Sequence, residues 1–233
     1  MIQFCGQDVI IEKDFRTRGM SLNINGNGQV AVKVGYLTKY SDDEIQGFID
    51  KHKRFLRNQL ADYSKVQLPD FNDGGKVCLL GKEYTVVRNE DVSSFAIEGN
   101  ILKVPIRFSN WQTERFFGNL LLPHIRAMTE IYAEEYGLKF SYVGLHTWYS
   151  AWGTHFNQDN SIKYNIALIF VPEDCIEYIV AHELCHSLHH NHSKAFWDEV
   201  GRIYPRYKES RELLHSYNLD WLFERAKLGK WSF

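Results

Sequence analysis

The sequence has little that would tie it to a membrane, a secretory route or a strongly charged partner. Its four cysteines (Cys5, Cys78, Cys175, Cys185) lie far apart with no C-x-x-C pair, so neither a zinc ribbon nor a disulfide framework is indicated. No apolar run approaches the ~20 residues that cross a bilayer. The opening MIQFCGQDVIIEKDF lacks the basic start and long apolar stretch of a secretory signal. A soluble protein in a reducing, cytoplasmic setting, with no membrane partner, is therefore expected. Net charge is −2, so no partner held by bulk electrostatics is indicated, nucleic acid included. Repeats and low-complexity tracts are absent, which excludes fibrous, collagen-like and disordered chains. What is present is 233 residues, 44% of them hydrophobic, enough for one or two compact domains. Ten of the residues are histidines, and five of these fall between His182 and His192.

An α+β fold is expected. The first hundred residues read as β-rich with one helix. Asn25-Gly26-Asn27-Gly28 separates two alternating runs, a hairpin signal. Ser41-Asp42-Asp43-Glu44 forms a capping box ahead of Ile45, Phe48, Ile49, His52, Phe55, Leu56 and Leu60 at helical spacing. Two further hairpins turn near Gly81 and Gly99-Asn100. From Ser109 to Tyr136 the spacing is helical, with Pro123 predicted to kink or break the helix and Gly137 to end it. A strand, a Gly/aromatic turn and another strand occupy 139–172. Pro172-Glu173-Asp174 starts a helix predicted to run to about His189. Ser193 caps the next, which stops at Pro205, and two helical stretches near 207–217 and 219–228 complete the chain.

Chemistry enters at His182-Glu183-Leu184-Cys185-His186, an H-E-x-x-H pattern within a predicted helix. Positions four apart share one helix face, so His182 and His186 can hold one metal ion between them. Glu183, beside that face, can act as general base on a water whose pKa the metal lowers. Catalytic zinc usually takes a third protein ligand. His189 would sit ~4.5 Å further along the axis if the helix continued, too far for a bond of ~2.1 Å. A ligand from chain that has turned back fits better. His192 is in that position, because Asn191 tolerates the left-handed conformation that ends helices; Glu199 is the alternative carboxylate. His189 and His190 are read as neighbours of the site. Cys185 reads as a small packing residue, and Phe196 and Trp197 as core behind the metal helix. Trp148, Tyr149, Trp152 and Phe156 read either as a substrate groove or as a cluster anchoring a loop.

The segment IEYIVAHELCHSLHHNHSKAFWDEVGRIYPRYKESRELL closely resembles the YgjP-like zinc metallopeptidases, related to the WLM and SprT-type groups. RTRGMSLNINGNGQVAVKV resembles the family's opening hairpin, and GLKFSYVGLHTWYSAWGTH its strand and Trp-Gly turn. The resemblance implies a zincin-like α+β fold, a peptide or protein substrate, zinc on His182, His186 and His192, and Glu183 as catalytic base. Tyr207 matches the tyrosine of a P-x-Y-K motif and would either donate to an oxyanion or pack between helices. A β-rich part over 1–108 and a metallopeptidase part over 109–233 are expected, or one continuous domain. Two family arginines are replaced here by Ala151 and Ala167, and His155 stands near the first as a candidate substitute. Those replacements motivate an alternative, a zinc-stabilised binding module for protein or nucleic acid with weak or no catalysis. The run YNIALIFV is expected to pair with an extended substrate by strand addition.

Overall fold

A computed structural model describes residues 2–15 and 17–229. Arg16, first residue of the segment likened to the family's opening hairpin, lies outside the described residues. The chain separates into two compact units, Met1–Val66 and Gln67–Phe233.

In the first unit, β1 (Gln3–Phe4) and β2 (Gln7–Asp8) form a small hairpin. Then β3 (Ile10–Asp14), β4 (Met20–Ile24) and β5 (Val30–Gly35) make a sheet in the order β3-β5-β4. β5 is parallel to β3 and antiparallel to β4. Gly28, at φ 78°, turns the expected hairpin. Ser41 makes the predicted capping box with Glu44 at the start of α1 (Asp42–Lys51). The expected single helix is in fact two, because His52 leaves helical geometry (φ −108°, ψ 13°) before α2 (Lys53–Lys65), and its Nδ1 lies 2.8 Å from the Phe48 carbonyl.

In the second unit, β6 (Lys76–Leu79), β7 (Lys82–Asn89), β8 (Ala96–Glu98) and β9 (Ile101–Pro105) form a sheet in the order β6-β7-β9-β8. These strands belong with the C-terminal helices because Phe71 and Phe95 join Phe117 and Phe170 in one aromatic core. α3 (Asn110–Tyr136) is capped by Ser109 and closed by Gly137 at φ 68°. Pro123 sits inside it and does not end it. The helix buries Phe117, Leu121 and Ile125 completely. At about 1.5–3 kcal/mol each, these outweigh the roughly 3 kcal/mol that an interior proline costs.

β10 (Tyr142–His146), β11 (Gly153–Phe156) and β12 (Ser161–Asn165) form a third sheet, in the order β10-β12-β11. β12 is central, parallel to β10 and antiparallel to β11. The expectation that YNIALIFV pairs with substrate is therefore corrected. Both edges of its strand are taken, and 166–170 coils into a buried 3-10 turn started by Asn165 Oδ1 on the Ala167 N–H. The rest is α4 (Glu173–Cys185), α5 (Lys194–Ile203), α6 (Tyr207–Ser216) and α7 (Leu219–Ala226). His124 of α3 meets Glu173 in the first turn of α4 at 2.7 Å. No helix among the described residues is long and apolar enough to cross a membrane.

Candidate metal centre and its cavity

α4 places His182 and His186 one turn apart, with ring centroids 5.1 Å from each other. The helix ends at Cys185, four residues before the predicted limit. The Ser187 hydroxyl donates to the Leu184 carbonyl at 2.7 Å, and the Leu188 and His189 N–H groups both fold back onto Cys185. This tight turn returns the chain, and Ser193 restarts it as α5. His192 comes to face the helix, its Nε2 3.0 Å from that of His182. One ring nitrogen from each of His182, His186 and His192 lies within 4.8 Å of the others. Glu199, the alternative ligand, is instead paired with Arg202 at 2.7 Å.

The donor set suits a divalent metal ion. A tetrahedral site with bonds of about 2.1 Å holds its nitrogens roughly 3.4 Å apart, close to the spacing of His182 and His192. His186 Nδ1 lies 2.9 Å from the His189 carbonyl oxygen, so that nitrogen carries the proton and Nε2 keeps its lone pair. Burial, with the neighbouring imidazoles, pulls His182 down to about 3, which leaves the ring neutral and able to ligate. Phe196, fully buried, underlies all three rings at centroid distances of 4.6 to 4.9 Å.

Glu183 is 4% exposed. A Cβ at Gly153 would come 2.7 Å from its Oε1 and Cγ, so only glycine at the head of β11 leaves room for this carboxyl. Burial pushes Glu183 up to about 8, opposed by the backbone N–H of His155, which donates to it. A cation in the triad would draw it back toward the carboxylate. The His155 ring lies 6.4 Å from that of His186, with its two nitrogens 3.0 and 2.7 Å from the Asn157 and Asn160 amide oxygens. Asn165 holds the loop ahead of Gly153 by donating to the carbonyls of Trp148 (2.6 Å) and Ala151 (2.8 Å). Ala167 is fully buried in the 3-10 turn.

A cavity of about 520 Å³ opens over Glu183, His182 and His192, with Trp152, Tyr178 and Arg211 in its walls. Burial raises the Tyr178 phenol to about 12, so it stays a hydrogen-bond donor. Tyr207 is not among the lining residues; it stacks on Trp197 at 5.7 Å and 18°. Of the aromatic group at 148–156, Trp152 reaches this cavity, Tyr149 packs on Phe223, and Trp148 lies on His146. Sequence reasoning missed Gly153, Asn165, Tyr178 and Arg211 as site residues. Tyr178 carries a readable signal, standing one turn before His182 on the same face.

Three imidazoles converging beside a buried carboxylate are the equipment of a metal-dependent hydrolase. The family model for the YgjP-like metallopeptidase domain matches residues 18–217. This chain belongs to the YgjP-like family and is a metallopeptidase, acting on peptide or protein. Among solved structures, the metallopeptidase zymogen abylysin of Pyrococcus abyssi is similar at 23% identity and a TM-score of 0.37, over 40% of this chain and 92% of that one. A comparison with the curated proteins finds no match.

Proposed function

We propose that this metallopeptidase uses zinc held by His182, His186 and His192 and cleaves peptide bonds with Glu183 as general base. The carrying observation is the convergence of three ring nitrogens within 4.8 Å beside a carboxyl lodged against Gly153. Zinc there supplies a Lewis acid and a water of lowered pKa. Glu183 takes the proton of the attacking water and returns it to the departing amine. Tyr178, on the cavity wall, donates to the developing oxyanion. Tyr207 fixes Trp197 from behind and thereby the position of His192, against which that indole lies at 5.7 Å. β11 is an edge strand, and the main-chain groups left after the His155 N–H is taken by Glu183 are offered to an extended substrate. Cys5, Cys78, Cys175 and Cys185 are all free, which suits the reducing cytoplasm.

Glu183→Gln tests the base. The variant should bind zinc stoichiometrically and lose peptide cleavage by about 100-fold or more. Full activity with zinc bound would remove Glu183 from the chemistry.

A further inference from the structure

Arg211 is an exposed cation without an ion-pair partner among the described residues. It lies on α6 and lines the cavity that also holds His182, Glu183 and His192. Its guanidinium stands 4.5 Å from the Trp197 ring centre, a cation–π contact that restrains an otherwise mobile side chain. The same indole lies 5.7 Å from the His192 ring. These two contacts keep the guanidinium within about 10 Å of His192, the span of about three extended residues.

Other arginines of this region are neutralised. Arg202 pairs with Glu199, and Arg206 with both Asp174 and Glu209. Arg211 has no ion-pair partner among the described residues. The acidic group lining the cavity, Glu183, is lodged against Gly153 with the His155 N–H on it. A divalent ion on the three imidazoles would add further positive charge. Glu183 is thus engaged away from Arg211, which is left open to a ligand, and a guanidinium fork matches a carboxylate in two parallel hydrogen bonds.

We propose that Arg211 selects substrates presenting a carboxylate within about three residues of the scissile bond. The proposal rests on the reading of the triad and Glu183 as the catalytic centre. Two sources carry this chemistry, the α-carboxylate of a peptide's C-terminus and the side chain of Asp or Glu.

The test uses the full-length zinc-loaded protein and one peptide scaffold. The scaffold is made with a free C-terminus, as the C-terminal amide, and as amides carrying a single Glu or Gln at successive positions around the cleaved bond. Carboxylate-bearing forms should show kcat/KM roughly 10- to 100-fold above their neutral counterparts. Arg211→Gln should erase that ratio, and Arg211→Lys should restore part of it. Preference for the free C-terminus over the amide assigns the α-carboxylate; preference for Glu over Gln in the amides assigns the side chain. Calorimetric titration of zinc-loaded Glu183→Gln with the same peptides should give the same ratio in Kd, without turnover. Equal kcat/KM and equal Kd for charged and neutral peptides overturns the role of Arg211 while leaving Glu183 in place. An equal fall on every peptide in Arg211→Gln also overturns it. Undiminished cleavage by Glu183→Gln breaks the catalytic reading instead, and wild-type Kd values then still report on Arg211.

Discussion

The sheets β3-β5-β4 and β10-β12-β11 share one plan and serve opposite ends. In each, the last strand lies in the middle, parallel to the first and antiparallel to the second. Each also has a glycine whose missing Cβ leaves space for a helix side chain. A Cβ at Gly28 would come 2.7 Å from Tyr63 Cε1 of α2, and one at Gly153 would come 2.7 Å from Glu183 Oε1 of α4. At the first, the occupant is a phenol that donates to the Gly26 carbonyl at 2.9 Å and fastens the β4–β5 turn. At the second it is a carboxyl beside three imidazoles. Topology and close approach are common to both, so neither confers activity. On the proposed function, the difference lies in the residue delivered into the space.

Alanine at the two glycines separates these uses most strongly. Glu183 is a flexible chain, so in Gly153→Ala it moves while the sheet stays. The expected result is a fall in kcat of about 100-fold or more, with zinc retained and Tm little changed. Gly28→Ala should do the reverse. Its φ of 78° disfavours any L side chain and the Tyr63 ring blocks the space. Tm should fall by roughly 3–6 °C with kcat/KM unchanged. Equal loss of cleavage in both variants would break the comparison.

How much of this is legible in the sequence depends on how local each determinant is. His182 and His186 are set by one helix, and their i, i+4 spacing suffices to place them on one face. His192 is reachable because a third ligand demands that the chain turn back, and the Asn191-Ser193 punctuation allows it. The helix end itself is misplaced from sequence, since Ser187 and the two N–H groups that close on Cys185 look like ordinary helix continuation. Asn165 diverts an apolar run from strand to 3-10 turn with one side-chain acceptor, which hydropathy alone does not register. Pro123 is overruled by a buried stripe whose value only the packed core reveals. Gly153 and Arg211 take their meaning from residues 30 and 14 positions away (Glu183 and Trp197), and no periodicity links them.

His146 sharpens the contrast from within the catalytic sheet, where it closes β10. It is 7% exposed, its Nδ1 accepts the Trp148 N–H at 3.1 Å, and its Nε2 has no hydrogen-bond partner among the described residues. Burial, with the charge of Lys163, pulls it down to about 4. An unfolded histidine titrates near 6.5, so below that pH the unfolded chain binds a proton that the folded chain refuses. The sign is a loss of stability as pH falls from about 6.5 toward 4, amounting to about 2 kcal/mol by pH 5. In denaturant titrations, the wild type should lose about 2 kcal/mol more than His146→Gln between pH 7 and pH 5. A wild-type-to-variant difference that does not change with pH would end this assignment.

The smallest expected effect returns to the first sheet. Tyr63→Phe keeps the ring over Gly28 and removes only the hydroxyl that donates to Gly26. The expected cost is about 1 kcal/mol in the denaturant midpoint, with zinc content and kcat/KM unchanged. Because the ring still fills the space of the absent Cβ, this variant divides the glycine effect into its parts. If Tyr63→Phe were as destabilising as Gly28→Ala, the hydrogen bond would hold the turn and the close approach would be incidental. A small loss beside a large one assigns the turn to steric fit, the same fit that at Gly153 is spent on holding a carboxyl.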